Sequence, residues 1–206
     1  MAGNGPAARR AIISGGGGAK FFYSSIPRRT LAATMLYFLI GFMGSGKSYW
    51  GKRWSETFGL PFYDLDEVIE RKEGKTIGQI FETEGEPAFR KKEQQALESM
   101  FDLKEGIIAC GGGTPCFHKN MKRMNKNGTT IYLKTAVPVL VERLLPELGH
   151  RPVLSHATPE TLPVFIESKL AERKDFYSRS VFHFNTQYLT DENFKKILDK
   201  CKKLSS

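Results

Sequence analysis

The run Gly41-Phe42-Met43-Gly44-Ser45-Gly46-Lys47-Ser48 satisfies the spacing G-x-x-x-x-G-K-[ST] at every required position. Its surroundings constrain the fold as strongly as the motif does. Residues 36–40, Leu-Tyr-Phe-Leu-Ile, form a short apolar run that reads as a buried strand. Residues 47–58 have helical character and stop at Gly59, a residue suited to the left-handed turn past a helix end. Strand, glycine-rich loop and helix, in that order, aim successive backbone N–H groups and a helix N-terminus at one anion. The expectation is a nucleoside triphosphate site formed by Gly44, Ser45, Gly46, Lys47, Ser48 and Tyr49. Lys47 reaches the outer phosphates of ATP in this reading, and the Ser48 hydroxyl holds Mg²⁺. A glycine-rich turn with a chance lysine is the bland alternative; the flanking strand and helix argue against it.

The 206 residues suit one domain with a tail, and 15 phenylalanines supply material for a core. Cys110, Cys116 and Cys201 contain no C-x-x-C pair and suggest neither a disulfide framework nor a zinc site. A reducing, cytoplasmic setting is the simple expectation. The net charge of +9 is unevenly spread: residues 1–34 hold five basic groups and no acid, and the rest carries 26 basic against 22 acidic residues. That mildly basic remainder suits an enzyme handling polyanions. It lacks the continuous basic face with interleaved aromatics expected of a nucleic-acid binder. The lysines after residue 194 read as the solvated face of a last helix.

Residues 1–34, with Gly15-Gly16-Gly17-Gly18, several Ala and Ser and five basic groups, are expected to form no packed structure before about Leu36. A cleaved organellar transit peptide and an upstream extension ahead of Met35 compete as explanations. The preferred one is a disordered extension without a role in the chemistry; a transit peptide would move the protein to a plastid or other organelle. An export signal is rejected, because the apolar run after Arg28-Arg29 is the first strand and the phosphate loop, and cleavage there would destroy the site. No membrane span is expected.

Downstream, residues 60–63 read as a second strand ending at Asp64, and a short helix follows from Asp66 to near Gly74. Thr76 caps a helix beginning at Ile77, and a charged helix runs over 86–101. Residues 107–110 form a strand stopped by Gly111-Gly112-Gly113, and a helix covers 118–125. A strand over 129–133 follows the Asn127-Gly128 turn, then come helices over 137–145 and 162–177 with an irregular stretch between. A strand over 181–185 and a helix capped by Asp191 close the chain. Five short strands alternating with helices imply a parallel sheet covered on both faces, with ligands at the carboxyl ends of the strands.

Three polar features fall at such ends: the phosphate loop, Asp64-Leu65-Asp66, and the triple glycine. Two carboxylates two residues apart can serve Mg²⁺ and a substrate hydroxyl, or Asp66 can simply cap its helix; the position opposite a phosphate loop favours function. Gly111, Gly112 and Gly113 allow close backbone approach, although a tight turn needs only one or two of them. Arg90, Arg173 and Arg151, read alone, are solvated helix or loop residues. Arginine is nevertheless suited to bidentate capture of a carboxylate or phosphate, and a loop arginine at 151 can close over phosphates. The four histidines show no ligand spacing.

Taken in order, Gly41 to Ser48, Asp64-Leu65-Asp66, Phe89-Arg90-Lys91-Lys92-Glu93, Gly111-Gly112-Gly113, Arg151-Pro152-Val153-Leu154 and the Arg173–Tyr177 pair resemble the shikimate kinase family over essentially all of residues 35–200. The resemblance implies transfer of the ATP γ-phosphoryl group to the 3-hydroxyl of shikimate. It implies a three-layer, nucleoside-monophosphate-kinase-like α/β fold with sheet order 2-3-1-4-5 and a mobile lid, here about residues 146–159. By the same resemblance, Asp66 binds the acceptor hydroxyls and takes the proton, and Arg90 and Arg173 grip the carboxylate. Gly111, Gly112 and Gly113 line that pocket, Arg151 is the lid arginine, and Arg143 lies beside adenine. Ser48 and Asp64 serve Mg²⁺, and the protein is a monomer without nucleic-acid or membrane partners. Asp175 stands where the family often has proline, placing a negative charge either near the pocket or in solvent. A gluconate kinase of the same fold is the runner-up, and a catalytically silent nucleotide-binding protein the alternative from another class.

Overall fold

The computed structural model describes residues 12–14, 20–22, 35–149, 152–154 and 157–205. Its centre is a sheet of five parallel strands: β1 (Met35–Ile40), β2 (Phe62–Asp64), β3 (Glu105–Ala109), β4 (Thr129–Lys134) and β5 (Phe182–Asn185). Their spatial order is β2-β3-β1-β4-β5, the 2-3-1-4-5 arrangement expected, with every neighbouring pair parallel. Leu39 pairs with Ala109, Ile40 with Tyr132, Asp64 with Ala109 and Lys134 with Asn185, so the carboxyl ends form one common edge.

The central strand is apolar throughout because helices cover both of its faces. Side chains alternate across it. Tyr37 and Leu39 join Trp54 of α1 (Lys47–Phe58) and Phe194 and Ile197 of α7 (Asp191–Ser205) on one side. Leu36, Phe38 and Ile40 join the other layer, built from α2 (Leu65–Glu73), α3 (Ile77–Met100) and α4 (Asn120–Asn127). A smaller cluster sets Phe42 of the phosphate loop against Leu140 and Leu144 of α5 (Val137–Leu144) and Leu162 and Ile166 of α6 (Leu162–Tyr177).

Helix boundaries follow local chemistry. Gly59 and Gly74 end α1 and α2 in the left-handed conformation. Thr76 and Gln79 close a reciprocal capping box at the start of α3. The two helices expected over 77–101 run together but break at Gly85, whose φ of 79° and ψ of 170° are not helical; Pro87 follows. One expectation is corrected: Asp191 is the first residue of α7 rather than its cap. Its carboxylate instead accepts from Arg53 Nε at 2.8 Å and Nη2 at 2.7 Å, while Asn193 Oδ1 reaches back to Thr190 N at 2.8 Å. Within 1–34, expected to hold no packed structure, Ile12–Ser14 and Lys20–Phe22 instead pair antiparallel, short runs that each contain two β-favouring residues. The remainder of that segment lies outside the described residues. Among the described residues no helix is long and apolar enough to cross a membrane.

The Phe194 ring stacks on Trp54 at 4.5 Å and 4°, and meets Tyr37 at 5.1 Å and Phe58 at 5.4 Å. Phe194→Ala is therefore expected to lower unfolding free energy by about 3–5 kcal/mol in urea titration. Arg53→Ala, which breaks the exposed pair with Asp191, is expected to cost less than about 1 kcal/mol.

Candidate active site

The loop after β1 needs glycine where the chain turns. Gly44 and Gly46 have φ of 77° and 86°, and Gly46 is the N-cap residue of α1. No side chain caps that helix and its first turn holds no acid, so its N-terminus faces the cleft without an internal anion. Lys47 Nζ folds back along the loop, donating to Gly41 O at 3.1 Å and Phe42 O at 3.0 Å. Ser48 Oγ donates to Asp64 Oδ2 at 2.6 Å. Arg143 Nη1 donates to Gly44 O at 2.9 Å, which places Arg143 on the loop's outer flank.

Asp64 and Asp66 divide their roles differently from the capping alternative raised for Asp66. Asp64 is the N-cap of α2, its Oδ1 accepting from Asp66 N at 3.1 Å. Asp66 itself is left to face the cleft. Burial pushes its carboxyl up to about 6; the neighbouring charges of Asp64 and Glu93 add to the rise and Lys47 opposes it.

Arg90 sits on the second half of α3 and is buried at 7% exposure, not solvated as its charged neighbours suggest. Its Nε and Nη2 donate to Glu86 Oε1 at 3.1 and 2.9 Å, and its Nη1 donates to Glu93 Oε2 at 2.9 Å. The Phe117 ring lies 4.3 Å from the guanidinium carbon. These bonds use three of the five guanidinium N–H donors and leave two. Arg173, on α6, lies 5.3 Å from the Phe42 ring, and its Nη1 is buried without a hydrogen-bond partner among the described residues. A buried cationic donor without an acceptor is costly in a resting fold and marks a place for an anion. Asp175 is exposed and lines neither cavity, which settles its placement in favour of solvent.

All three glycines after β3 lie close against neighbouring groups, most tightly Gly111 and Gly113. A Cβ on Gly111 would lie 2.9 Å from Glu93 Oε1; on Gly112, 3.2 Å from Arg173 Nη1; on Gly113, 2.7 Å from Arg90 Nη2. Tyr177 fixes the turn from α6, its hydroxyl donating to Gly112 O at 2.6 Å.

Two cavities follow. One, of about 610 Å³, is lined by Gly44, Gly46, Lys47, Ser48, Asp64 and Arg143 among others. The second, of about 530 Å³, is lined by Glu70, Phe81, Phe89, Arg90, Glu93 and Arg173 among others. Met43, Asp66, Gly111 and Gly112 line both, so a group held in either meets its neighbour at the Asp66 carboxylate. Of the expected lid, Pro152–Leu154 forms a 3-10 turn whose Val153 borders the second cavity, as does Glu147. Arg151 lies outside the described residues.

Sequence reasoning passed over Glu93, the fully buried partner of Arg90, although the spacing i to i+3 on a helix announces it. It also passed over Trp50 and Thr186, which line the first cavity. Thr186 follows the carboxyl end of β5, so the rule that ligands sit at strand ends pointed there as well.

The family model described as shikimate kinase matches residues 43–202. A shikimate kinase of Parabacteroides distasonis is 40% identical over 156 residues, covering 76% of this chain and 90% of that protein. The crystal structure of shikimate kinase from Bacteroides thetaiotaomicron superposes with a TM-score of 0.75 at 34% identity, over 80% of this chain and 98% of that one. The Acinetobacter baumannii shikimate kinase in complex with shikimate gives 0.73 at 30% identity, over 84% of this chain and 96% of that one.

The raised Asp66 carboxyl carries a consequence for stability. Its folded value, about 6, lies above its ordinary 3.8. Protonation thus favours the native state: the contribution is full below the unfolded value and is lost as pH rises through about 6. Asp66→Asn removes the buried charge and is expected to stabilise the ligand-free chain by about 1–3 kcal/mol at pH 8, and by much less near pH 4. Urea titrations at the two pH values measure the difference.

Proposed function

Since the chain belongs to the shikimate kinase family, we propose that its two adjoining cavities hold ATP and shikimate, with Asp66 between them. The activity is phosphoryl transfer from ATP to the 3-hydroxyl of shikimate, a step toward aromatic amino acids. The observation that carries the site assignment is the juxtaposition of a glycine-rich anion cradle with a second cavity bearing two arginines.

The N–H groups from Gly44 to Tyr49 receive the phosphates at the N-terminus of α1, and Lys47 leaves its carbonyl partners for the outer phosphate oxygens. Arg143 flanks the adenosine. Ser48 Oγ and Asp64 Oδ2 are hard oxygen donors 2.6 Å apart, a pair that suits Mg²⁺. Mg²⁺ takes its remaining ligands from phosphate and water. When bound, Mg²⁺ neutralises charge on the phosphates.

In the second cavity the two remaining donors of Arg90 and the unpartnered Nη1 of Arg173 receive the shikimate carboxylate. Gly111, Gly112 and Gly113 let the ring approach the backbone. That anchor at one end leaves the 3-hydroxyl at Asp66. The hydroxyl oxygen bonds to the γ-phosphorus, the bond from that phosphorus to the β,γ-bridging oxygen breaks, and the hydroxyl proton passes to the Asp66 carboxylate. Arg151, the lid arginine, supplies charge beside the transferring group. Residues 35–206 carry the chemistry, and 1–34 take no part. The protein acts as a cytoplasmic monomer. Gluconate kinase and a silent binding protein remain as outcomes of the assay.

A coupled ADP-release assay with Mg-ATP is expected to show turnover that requires shikimate and is absent with gluconate. Arg90→Ala and Arg173→Ala should each raise KM for shikimate about 10–100-fold while leaving KM for ATP nearly unchanged. Nucleotide binding without shikimate-dependent turnover would favour the silent protein. The profile of kcat/KM against pH should fall on the acid side of about 6, as Asp66 takes up its proton. Asp66→Asn should lose about 10²–10⁴-fold in kcat.

A further inference from the structure

The Thr114 hydroxyl touches neither cavity, yet the side chain is fully buried and makes one of the shortest bonds near the site. Thr114 opens the 3-10 turn Thr114–Cys116 directly after the three glycines. Its backbone is held on both sides: its N–H donates to Gly111 O at 3.2 Å, and its carbonyl accepts from Asn120 Nδ2 at 3.0 Å. Pro115 stiffens the next position. From this fixed base Thr114 Oγ1 donates to Glu93 Oε1 at 2.5 Å.

Glu93 has no exposed surface. A buried carboxylate is held in its orientation by its donors. Here these are Thr114 on Oε1 and Arg90 Nη1 on Oε2. The other carboxylate on Arg90 is a looser tether, for the Glu86 side chain is 54% exposed and free to hydrate. Arg90 is otherwise bounded by surfaces that limit but do not orient it: the Phe117 ring at 4.3 Å and the bare backbone of Gly113. Turning Glu93 would turn the plane of the guanidinium and misdirect the two donors left for the acceptor.

We infer that Thr114 is a positioning residue for the acceptor: its hydroxyl locks Glu93, and Glu93 locks the Arg90 guanidinium in the orientation that captures a carboxylate. This rests on the assignment of Arg90 to the shikimate carboxylate. The relay passes from the turn after β3 to α3 and thence to the substrate without touching the phosphate loop, so its effect on binding falls on the acceptor rather than on ATP.

The test compares Thr114→Val, which keeps the shape and loses the donor, with Thr114→Ser, which keeps the donor. Steady-state constants are measured for shikimate and ATP, and shikimate is set against its methyl ester as acceptor. Thr114→Val is expected to raise KM for shikimate about tenfold with KM for ATP within about twofold, and Thr114→Ser to restore the shikimate value. Thr114→Val should also narrow the preference for shikimate over the ester, since that preference passes through Arg90. Should the valine variant not fold, Thr114→Ala lacks the donor without placing a methyl beside Glu93 and carries the same expectation. A Thr114→Val enzyme indistinguishable from the unmodified chain overturns the inference, as does a parallel rise in both KM values that serine does not restore. Absence of shikimate-dependent turnover in the unmodified chain overturns the acceptor assignment and this inference together; turnover with an idle Thr114 overturns this inference alone.

Discussion

The site depends on how closely the loop after β1 lies against the end of β4. A Cβ on Gly41 would stand 2.7 Å from Leu133 O and 2.8 Å from Ser45 Oγ, so the chain passes there only as bare backbone. That contact turns the loop out of the sheet and delivers α1 N-terminus first to the carboxyl edge. Because β1 is the middle strand, the edge extends equally to both sides of the loop. β3 and β2 bring the glycine turn and the two aspartates from one flank; β4 and β5 bring Arg143 and Thr186 from the other. The order 2-3-1-4-5 is thus the arrangement that lets one anion cradle be reached by functional groups from four other strands.

The charge buried along that edge is not a source of stability. Arg90 and Glu93 are withdrawn from water, Asp66 is pushed toward its neutral form, and Arg173 Nη1 has no acceptor among the described residues. Replacing such groups by apolar ones of similar volume is often neutral or stabilising. The offset comes from elsewhere: the aromatic stack of Tyr37, Trp54, Phe58 and Phe194 on one face of the sheet, and the aliphatic layer of Leu65, Ile69, Ile80 and Leu97 on the other. Strained electrostatics and stable packing are kept in separate regions, so the first can be tuned for a ligand without loosening the second.

How far the sequence disclosed this varies with the range of the interaction. Glycine spacing, helix ends and the apolar strand report on neighbours within a few residues, and the phosphate loop, α1 and the Thr76 cap were read correctly from them. Whether Asp66 caps α2 or serves the site was open; the cap falls to Asp64, whose Oδ1 accepts from Asp66 N while Ser48, 16 positions earlier, engages its Oδ2. Arg90 looked solvated because its flanking residues are charged. Its burial is set by Phe117 and Gly113, more than 20 positions away, and no periodicity within α3 carries that information. Asp191 showed the same limit in reverse: a good capping residue was drawn off by Arg53, 138 positions distant. The sheet order came from resemblance to a family, since strand succession alone permits other orders.

Gly112 shows why the two cavities form one site rather than two neighbours. Its Cα side faces the backbone N of Met43 at 3.3 Å from an added Cβ and Arg173 Nη1 at 3.2 Å, while its carbonyl is held by Tyr177. One residue therefore separates the phosphate loop from the arginine of the second cavity, with no layer of side chains between them. A side chain there would crowd both the Met43 backbone and the Arg173 guanidinium, and one of them would have to give by a few tenths of an ångström. Phosphoryl transfer owes most of its rate to holding donor and acceptor in line at short range, where a displacement of an ångström is costly. The absence of side chains at 111–113 is thus a distance constraint: the wall is made thin so that two separately held reactants meet at one carboxylate.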